Sequence, residues 1–279
     1  MNEQVLAAVL GSPIAQSLSP VIHEAAFRAA GRKGRYLAIE CQEAGLPDAI
    51  SHLEKIGCVG ASVTMPCKES VVHLCDDLVG AAAVLRAVNC VRFSDGRTLG
   101  HNTDGDGCCD ALTEQGSVSL DGSRVVVLGA GGTARSVAHA VLLRGADVVV
   151  INRTLSRAAE MVSTLANVAD VKGSIQLGTA DDVAGAQVVV NATSVGMGTD
   201  ECPIDPRVLH RGLTVLDAVY HPLATRLLTE AASSGATVVD GLWMLIHQAR
   251  RQQEIWFGER PDAEPMRKES ERVLRDRSN

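Results

Sequence analysis

Short apolar runs alternate with amphipathic stretches along most of the chain, and that alternation predicts strands laid between helices. Residues 125–128 (VVVL) and 148–151 (VVVI) suit strands buried on both faces, and the helical stretch between them opens on glycines. Further apolar runs in QVVVNATSVGM, LTVLDAVY and TVVDG, with a short one at Ile175 to Leu177, predict an open parallel sheet of about six strands. Upstream, Leu6 to Leu10, Tyr36 to Cys41, Val59 to Thr64 and Ala87 to Phe93 read as strands. Pro20 to Ala30, Ala44 to Lys55 and Pro66 to Leu74 read as helices, two of them opening on proline, whose missing N–H costs nothing in a first turn. From Gly241 the period turns helical, with Trp243, Met244, Ile246, His247 and Trp256 on a broad apolar face. The mostly polar stretch from Pro261 reads as a frayed or loosely docked final helix. The second sheet is complete by Asp240, so the closing helices are expected to cross back, giving two α/β domains: residues 1–104 plus 241–279, and residues 105–240.

The glycine turn is where the pattern acquires chemistry. Gly129, Gly131 and Ala134 fill a G-x-G-x-x-A turn between strand and helix, with Ala130, Gly132 and Thr133 completing it. Gly129 permits the tight turn, Gly131 leaves room for a pyrophosphate, and Ala134 lets the helix pack close. The helix start offers free N–H groups to phosphate. A dinucleotide site of the NAD type places a carboxylate after the second strand, yet this chain has Asn152 and Arg153, then Thr154 and Arg157. With no carboxylate to repel it and a guanidinium fork to meet it, a 2′-phosphate fits, so the pattern favours NADP. Thr193, Ala218 and Gly241 are further cofactor-side candidates.

Composition narrows the function classes. A formal charge of −7 over 279 residues argues against a broad nucleic-acid surface. The positive charge must then be concentrated locally, as at Arg135, Arg153 and Arg157. No apolar run reaches the roughly 18 residues that cross a bilayer, and MNEQVLAAVLGSP carries acid rather than a basic leader, which leads to the expectation of a cytoplasmic protein without a membrane partner. The eight cysteines show neither a C-x-x-C pair nor a zinc cadence, and read as free thiols with no metal.

Four clusters lie outside the dinucleotide unit. Ser17 and Ser19 precede a helix start that suits a small carboxylate, with Ser19 as the plain N-cap alternative. Lys68 falls in the first turn of the helix expected from Pro66, an end that disfavours cations, so it is either solvated or held by a partner. Asn89 sits within an apolar strand, where its amide is either structural or functional. Asp104 lies in NTDGDG, but a calcium loop counted from it would need oxygen, glycine and glutamate where Cys108, Cys109 and Gln115 stand.

In order along the chain, G-S-P-I-x-x-S-x-S-P-x-x-H, S-V-T-M-P-x-K, A-V-N, N-T-D-G-x-G, G-A-G-G-x-A-R, N-R-T-x-x-R and G-L-x-M-L-x-x-Q resemble the shikimate dehydrogenase family. The resemblance implies an N-terminal substrate domain completed by the final helices, a Rossmann-type NADP-binding domain, and a cleft between them. It implies that Ser17 and Ser19 hold the substrate carboxylate, that Lys68 and Asp104 are the catalytic pair, and that Thr64, Asn89, Tyr220 and Gln248 contact ring hydroxyls or line the site. It further implies a small-molecule substrate, a place in aromatic amino-acid biosynthesis, and a monomer or homodimer.

Gln16, Ser62 and Glu24 depart from the family pattern, which has His, Asn and Asn there. Quinate and aminoshikimate dehydrogenases of the same build, with NAD as a possible cofactor, are the nearest alternatives. Quinate-type members often carry Thr at the second serine and an acidic residue after the second strand, and Ser19 with Asn152-Arg153 points away from them. A sensor that binds without turnover is the alternative of another class, and a Lys68–Asp104 pair would have no work in it.

Overall fold

The computed structural model describes residues 5–278 and divides into two compact units. One runs to Thr103 and resumes at Gln248; the other spans Asp104–His247.

The first unit holds β1 (Val5–Gly11), α1 (Ser19–Ala29), β2 (Gly34–Glu40), α2 (Leu46–Lys55), β3 (Gly60–Val63), β4 (Asp77–Leu78), α3 (Ala81–Leu85), β5 (Cys90–Ser94) and β6 (Arg97–His101). Its sheet is mixed, in the order β2-β1-β3-β5-β6-β4. β1 runs parallel to β2 and β3, with Val9 opposite Ser62, whereas β5 is antiparallel to both β3 and β6. The β5–β6 hairpin turns at Asp95-Gly96, both at positive φ, the dipeptide that a tight hairpin favours. Alternate residues of β1 feed opposite faces: Ala8 and Leu10 meet Leu46, Ile50 and Leu53 of α2, while Ala7 and Val9 meet Phe27, Tyr36 and Trp256.

The second unit holds α4 (Asp104–Glu114), β7 (Arg124–Leu128), α5 (Gly132–Leu143), β8 (Asp147–Ile151), α6 (Leu155–Ala166), β9 (Ile175–Leu177), β10 (Val188–Asn191), β11 (Thr214–Asp217), α7 (Arg226–Ser233) and β12 (Thr237–Val239). Its strands are all parallel, in the order β12-β11-β10-β7-β8-β9. Buried Val125 to Leu128 occupy the centre between β10 and β8. Each such valine or leucine contributes roughly 1.5–3 kcal/mol by burial, which fixes the strand that carries the glycine turn. α4 lies so close to α5 that a Cβ on Gly105 would stand 2.1 Å from the Ser136 carbonyl oxygen.

α8 (Gly241–Phe257) and α9 (Ala263–Ser278) close the chain. The second division falls within α8, at 247 rather than at 240, because its first turns pack in the second unit: His247 Nδ1 lies 3.8 Å from Glu114 Oε1. In the first unit, Trp256 Nε1 donates to the Val91 carbonyl at 2.9 Å, over Gly60, where a Cβ would stand 2.3 Å from that nitrogen.

Three expectations are corrected. The stretch from Pro66 is a turn followed by a 3₁₀ helix at Ser70–Leu74, so Lys68 sits in no α-helical first turn and meets no helix-dipole penalty. Asn89 precedes β5 rather than lying inside it. α9 is docked, not frayed: Ala263, Met266, Ser270 and Leu274 are buried at helical spacing, it packs on α1, and Arg277 donates to the Gln16 carbonyl at 2.9 Å. One small and one hydroxyl residue in that stripe hid it among charged neighbours. The first four residues, part of the stretch read for a leader, lie outside the described residues. Among the described residues no helix is long and apolar enough to cross a membrane, and no group of three or more His, Cys, Asp or Glu could hold a metal ion.

Candidate active site and dinucleotide site

In the first unit, one end of the sheet gathers candidate side chains because β1 and β3 finish there and β5, running the other way, begins there. Thr64 follows β3 and donates its backbone N–H to the Leu10 carbonyl at 2.9 Å. Gly11 makes room for it, since a Cβ there would stand 2.3 Å from Thr64 Cγ2 and 2.8 Å from the Met65 carbonyl oxygen. Lys68 lies half-buried in the next turn, pinned by Val88 N–H to its carbonyl at 2.8 Å. Val63 N–H in turn bonds the Asn89 carbonyl at 2.9 Å, so the backbone holds the Thr64, Lys68 and Asn89 segments together.

Asn89 is 2 % exposed and its amide is committed. Its Oδ1 accepts Thr103 N–H at 2.8 Å, and its Nδ2 donates to Thr103 Oγ1 at 3.0 Å and Gln248 Oε1 at 3.3 Å. Sequence reasoning missed three partners: Tyr36, Ser62 and Gln252. Gln252 Nε2 donates to Gln248 Oε1 at 2.8 Å and to the Asn89 carbonyl at 3.1 Å, while Ser62 Oγ bonds Gln252 Oε1 at 2.5 Å and Tyr36 Oη at 2.5 Å. No local motif flags residues so far apart in the chain.

At the start of α1 the N-cap is Leu18 and Ser19 is the first helical residue, which corrects the reading of Ser19 as N-cap. Ser17 Oγ accepts Ser19 N–H at 3.2 Å, and Ser12 N–H to the Met65 carbonyl at 2.9 Å ties this loop to the same end of the sheet.

Asp104 and Tyr220 belong to the other unit. Asp104, 9 % exposed, opens α4, where the positive end of the helix favours a carboxylate. Tyr220 is half-buried just past β11.

The dinucleotide candidates collect at the carboxyl ends of the parallel strands. Gly129 follows β7 at φ +113°, a conformation that needs glycine, and its N–H bonds the Ile151 carbonyl at 2.8 Å. A Cβ added at Gly129 would stand 3.1 Å from Thr193 Cγ2, so those two candidates are neighbours. At Gly131 and Gly132 a Cβ would meet nothing within 4 Å. The protein's own packing does not demand those glycines, whereas a phosphate drawn close to the start of α5 would. Buried Ala134 packs α5 down, and Ala130 and Thr133 line the turn.

After β8, Asn152 Nδ2 donates to the Thr154 carbonyl at 2.8 Å and curls the loop. Arg153, Thr154 and Arg157 are exposed, and neither arginine has an ion pair among the described residues. Arg135 differs, because Glu160 Oε1 lies 3.2 Å from its Nη2, which leaves the first two as the cations open to a ligand. These residues fit a nucleotide carrying a 2′-phosphate.

Behind this surface lies a second network that the sequence did not announce. Asn191 Oδ1 accepts Thr193 N–H at 3.1 Å and Oγ1–H at 2.7 Å, and Asn191 Nδ2 donates to Asp217 Oδ1 at 2.8 Å. Asp217 also accepts from Val219 N–H at 3.0 Å and Thr225 Oγ1 at 2.7 Å. Burial pushes this carboxyl above its ordinary range, against the hydrogen bonds that favour its charge. The network fixes the ends of β10 and β11, and with them Thr193 and Ala218. Gly241 packs there too, since a Cβ on it would stand 2.5 Å from the Val219 carbonyl oxygen.

Three family models match the chain: a shikimate dehydrogenase substrate binding domain over residues 9–91, shikimate/quinate 5-dehydrogenase over residues 111–196, and a shikimate 5′-dehydrogenase C-terminal domain over residues 241–269. A shikimate dehydrogenase (NADP(+)) of Thermococcus kodakarensis is 42% identical over 265 residues, 95% of each chain. Among solved structures, ligand-free 5-ketofructose reductase of Gluconobacter sp. superposes with a TM-score of 0.90 at 31% identity, covering 97% of this chain and 99% of that one. Shikimate 5-dehydrogenase of Thermus thermophilus, in complex with NADP(H) and shikimate, gives 0.88 at 33% identity, covering 96% and 99%.

Proposed function

This chain belongs to the shikimate dehydrogenase family, and from that premise we propose that it catalyses the reversible, NADP-dependent reduction of 3-dehydroshikimate to shikimate. The observation that carries the cofactor choice is the loop after β8, with exposed Arg153 and Arg157 and no carboxylate. A relative named for NADP and a related structure holding NADP(H) with shikimate support the same reading.

Bound NADP supplies a hydride acceptor for ring carbon C3 in the direction of oxidation. As hydride leaves that carbon, the proton of its hydroxyl must go to a positioned base. Lys68 takes this proton, and Asp104 orients the hydroxyl. Ser17 and Ser19 hold the ring carboxylate, while Thr64, Asn89, Tyr220 and Gln248 contact ring hydroxyls or line the site. Gly129 to Ala134 receive the pyrophosphate, Asn152, Arg153, Thr154 and Arg157 the 2′-phosphate end, and Thr193, Ala218 and Gly241 the remainder of the cofactor. The unit that runs to Thr103 and resumes at Gln248 serves mainly the substrate, and the unit Asp104–His247 mainly the dinucleotide.

Absorbance at the reduced-nicotinamide band, with shikimate, quinate or the reduction product of 5-ketofructose each paired with NADP or NAD, tests this. Shikimate with NADP should give the highest kcat/KM. A signal with quinate and NAD alone would replace the reading, and silence with every pair would leave a binding protein without turnover.

A further inference from the structure

We infer that Gln252 is a positioning residue for substrate binding, fixing which way Gln248 faces through a buried relay that starts at Tyr36. The inference rests on the proposed role of Gln248 as a contact to a ring hydroxyl.

Two backbone groups set the polarity of the relay. The Asn89 carbonyl can only accept, so the Gln252 amide must turn Nε2 toward it, at 3.1 Å. The Thr103 N–H can only donate, so the Asn89 side chain must turn Oδ1 toward it, at 2.8 Å, which leaves Nδ2 on the other side. Gln252 Nε2 and Asn89 Nδ2 then converge on one atom, Gln248 Oε1, at 2.8 Å and 3.3 Å. With its carbonyl held by two donors, Gln248 has its NH₂ turned away from Gln252 and Asn89 and acts on a ligand as a hydrogen-bond donor.

The far end of the relay is equally constrained. Gln252 Oε1 takes the Ser62 hydroxyl proton at 2.5 Å, so the Tyr36 hydroxyl must donate to Ser62 Oγ. Tyr36 is clamped between elements, stacked on His23 with ring centroids 4.4 Å apart. Tyr36, Ser62, Gln252, Asn89 and Gln248 are all at least nine-tenths buried, so a misplaced donor would not be rescued by bulk water. Ser62, a departure from the family pattern, is thus a working member of the relay.

Gln252→Met keeps the volume and removes both donors. It should raise KM for shikimate about tenfold, with kcat within about threefold of wild type and KM for NADP unchanged. The effect should decay along the relay, with Ser62→Ala raising KM by about threefold and Tyr36→Phe by about twofold or less. Because Gln252 acts through Gln248, Gln252→Met should add less than about twofold in a Gln248→Ala background, whereas a merely structural role would give additive losses. Should Gln252→Met fail to fold, Ser62→Ala in the same two backgrounds reads the same coupling. A second readout needs no turnover: in nitrogen-15 spectra the Gln248 side-chain amide, identified by its loss in Gln248→Ala, should become more mobile in Gln252→Met. Unchanged KM in Gln252→Met, additivity with Gln248→Ala, or an equally ordered Gln248 amide overturns the relay. A wild type inactive with shikimate and NADP overturns the functional reading instead, and the amide order then decides the relay alone.

Discussion

The two proposed recognition surfaces are built on opposite plans. The proposed substrate side of the first unit rests on buried side-chain amides: a backbone group that can take only one role orients each of Asn89 and Gln252, and these two orient Gln248. The cofactor side of the second unit rests on backbone, with glycines at a helix start, and on two exposed arginines with no ion pair among the described residues. Buried amides give a site stiff geometry and make each member costly to lose, because its partners are left unsatisfied. Backbone and exposed cations give a site that tolerates change in the fold but yields to salt.

The largest expected effect lies on neither plan but on the reaction. Lys68→Ala should lower kcat by about 10³-fold while leaving KM for shikimate within about tenfold, measured by steady-state oxidation of shikimate. Near-normal turnover in that variant would remove Lys68 from proton transfer. Next comes the exposed cation: Arg153→Ala should raise KM for NADP by about 10–100-fold and leave KM for NAD little changed. Raising the ionic strength should narrow the difference between wild type and variant, and a salt-independent gap would argue against a phosphate contact.

Gly131→Ala sharpens the contrast between fold and ligand. Its φ is −86° and an added Cβ meets no protein atom, so the thermal midpoint should barely move, within about 0.5 kcal/mol of stability, while NADP affinity falls. Loss of stability instead would mean that the glycine serves the fold.

An effect on stability rather than on binding is expected at His23, which is stacked on Tyr36. His23 is fully buried, its Nδ1 accepts from Gln253 Nε2 at 3.0 Å, and burial pulls its pKa down to about 3. The folded protein therefore binds fewer protons here than the unfolded chain below the ordinary histidine value of 6.5. Its contribution is present above that value and is lost as pH falls toward 3, at up to about 1.4 kcal/mol per pH unit. Denaturant melts from pH 7 to pH 4 should show that slope, and His23→Gln should flatten it; an identical slope in both would place the acid sensitivity elsewhere.

What could be read from the sequence follows the same division. The parallel sheet and its glycine turn were legible because a continuous apolar strand and Gly129, Gly131 and Ala134 stand within ten residues of one another. The first unit was less so. Its hairpin strand β6 carried the Asp95-Gly96 signal but few apolar residues, and α9 hid its buried stripe among charges. The amide relay had no local signature at all, since Tyr36, Ser62, Asn89 and Gln252 meet only after two strands and a distant helix pack. Lys68 was singled out by motif, but its expected helical setting was wrong because the stretch at Pro66 is a turn.

The division of labour is tested most directly by measuring KM for both shikimate and NADP in wild type, Gln252→Met and Arg153→Ala under one set of conditions. Gln252→Met should raise only the shikimate constant and Arg153→Ala only the NADP constant. Variants that each raise both constants by similar factors would contradict it.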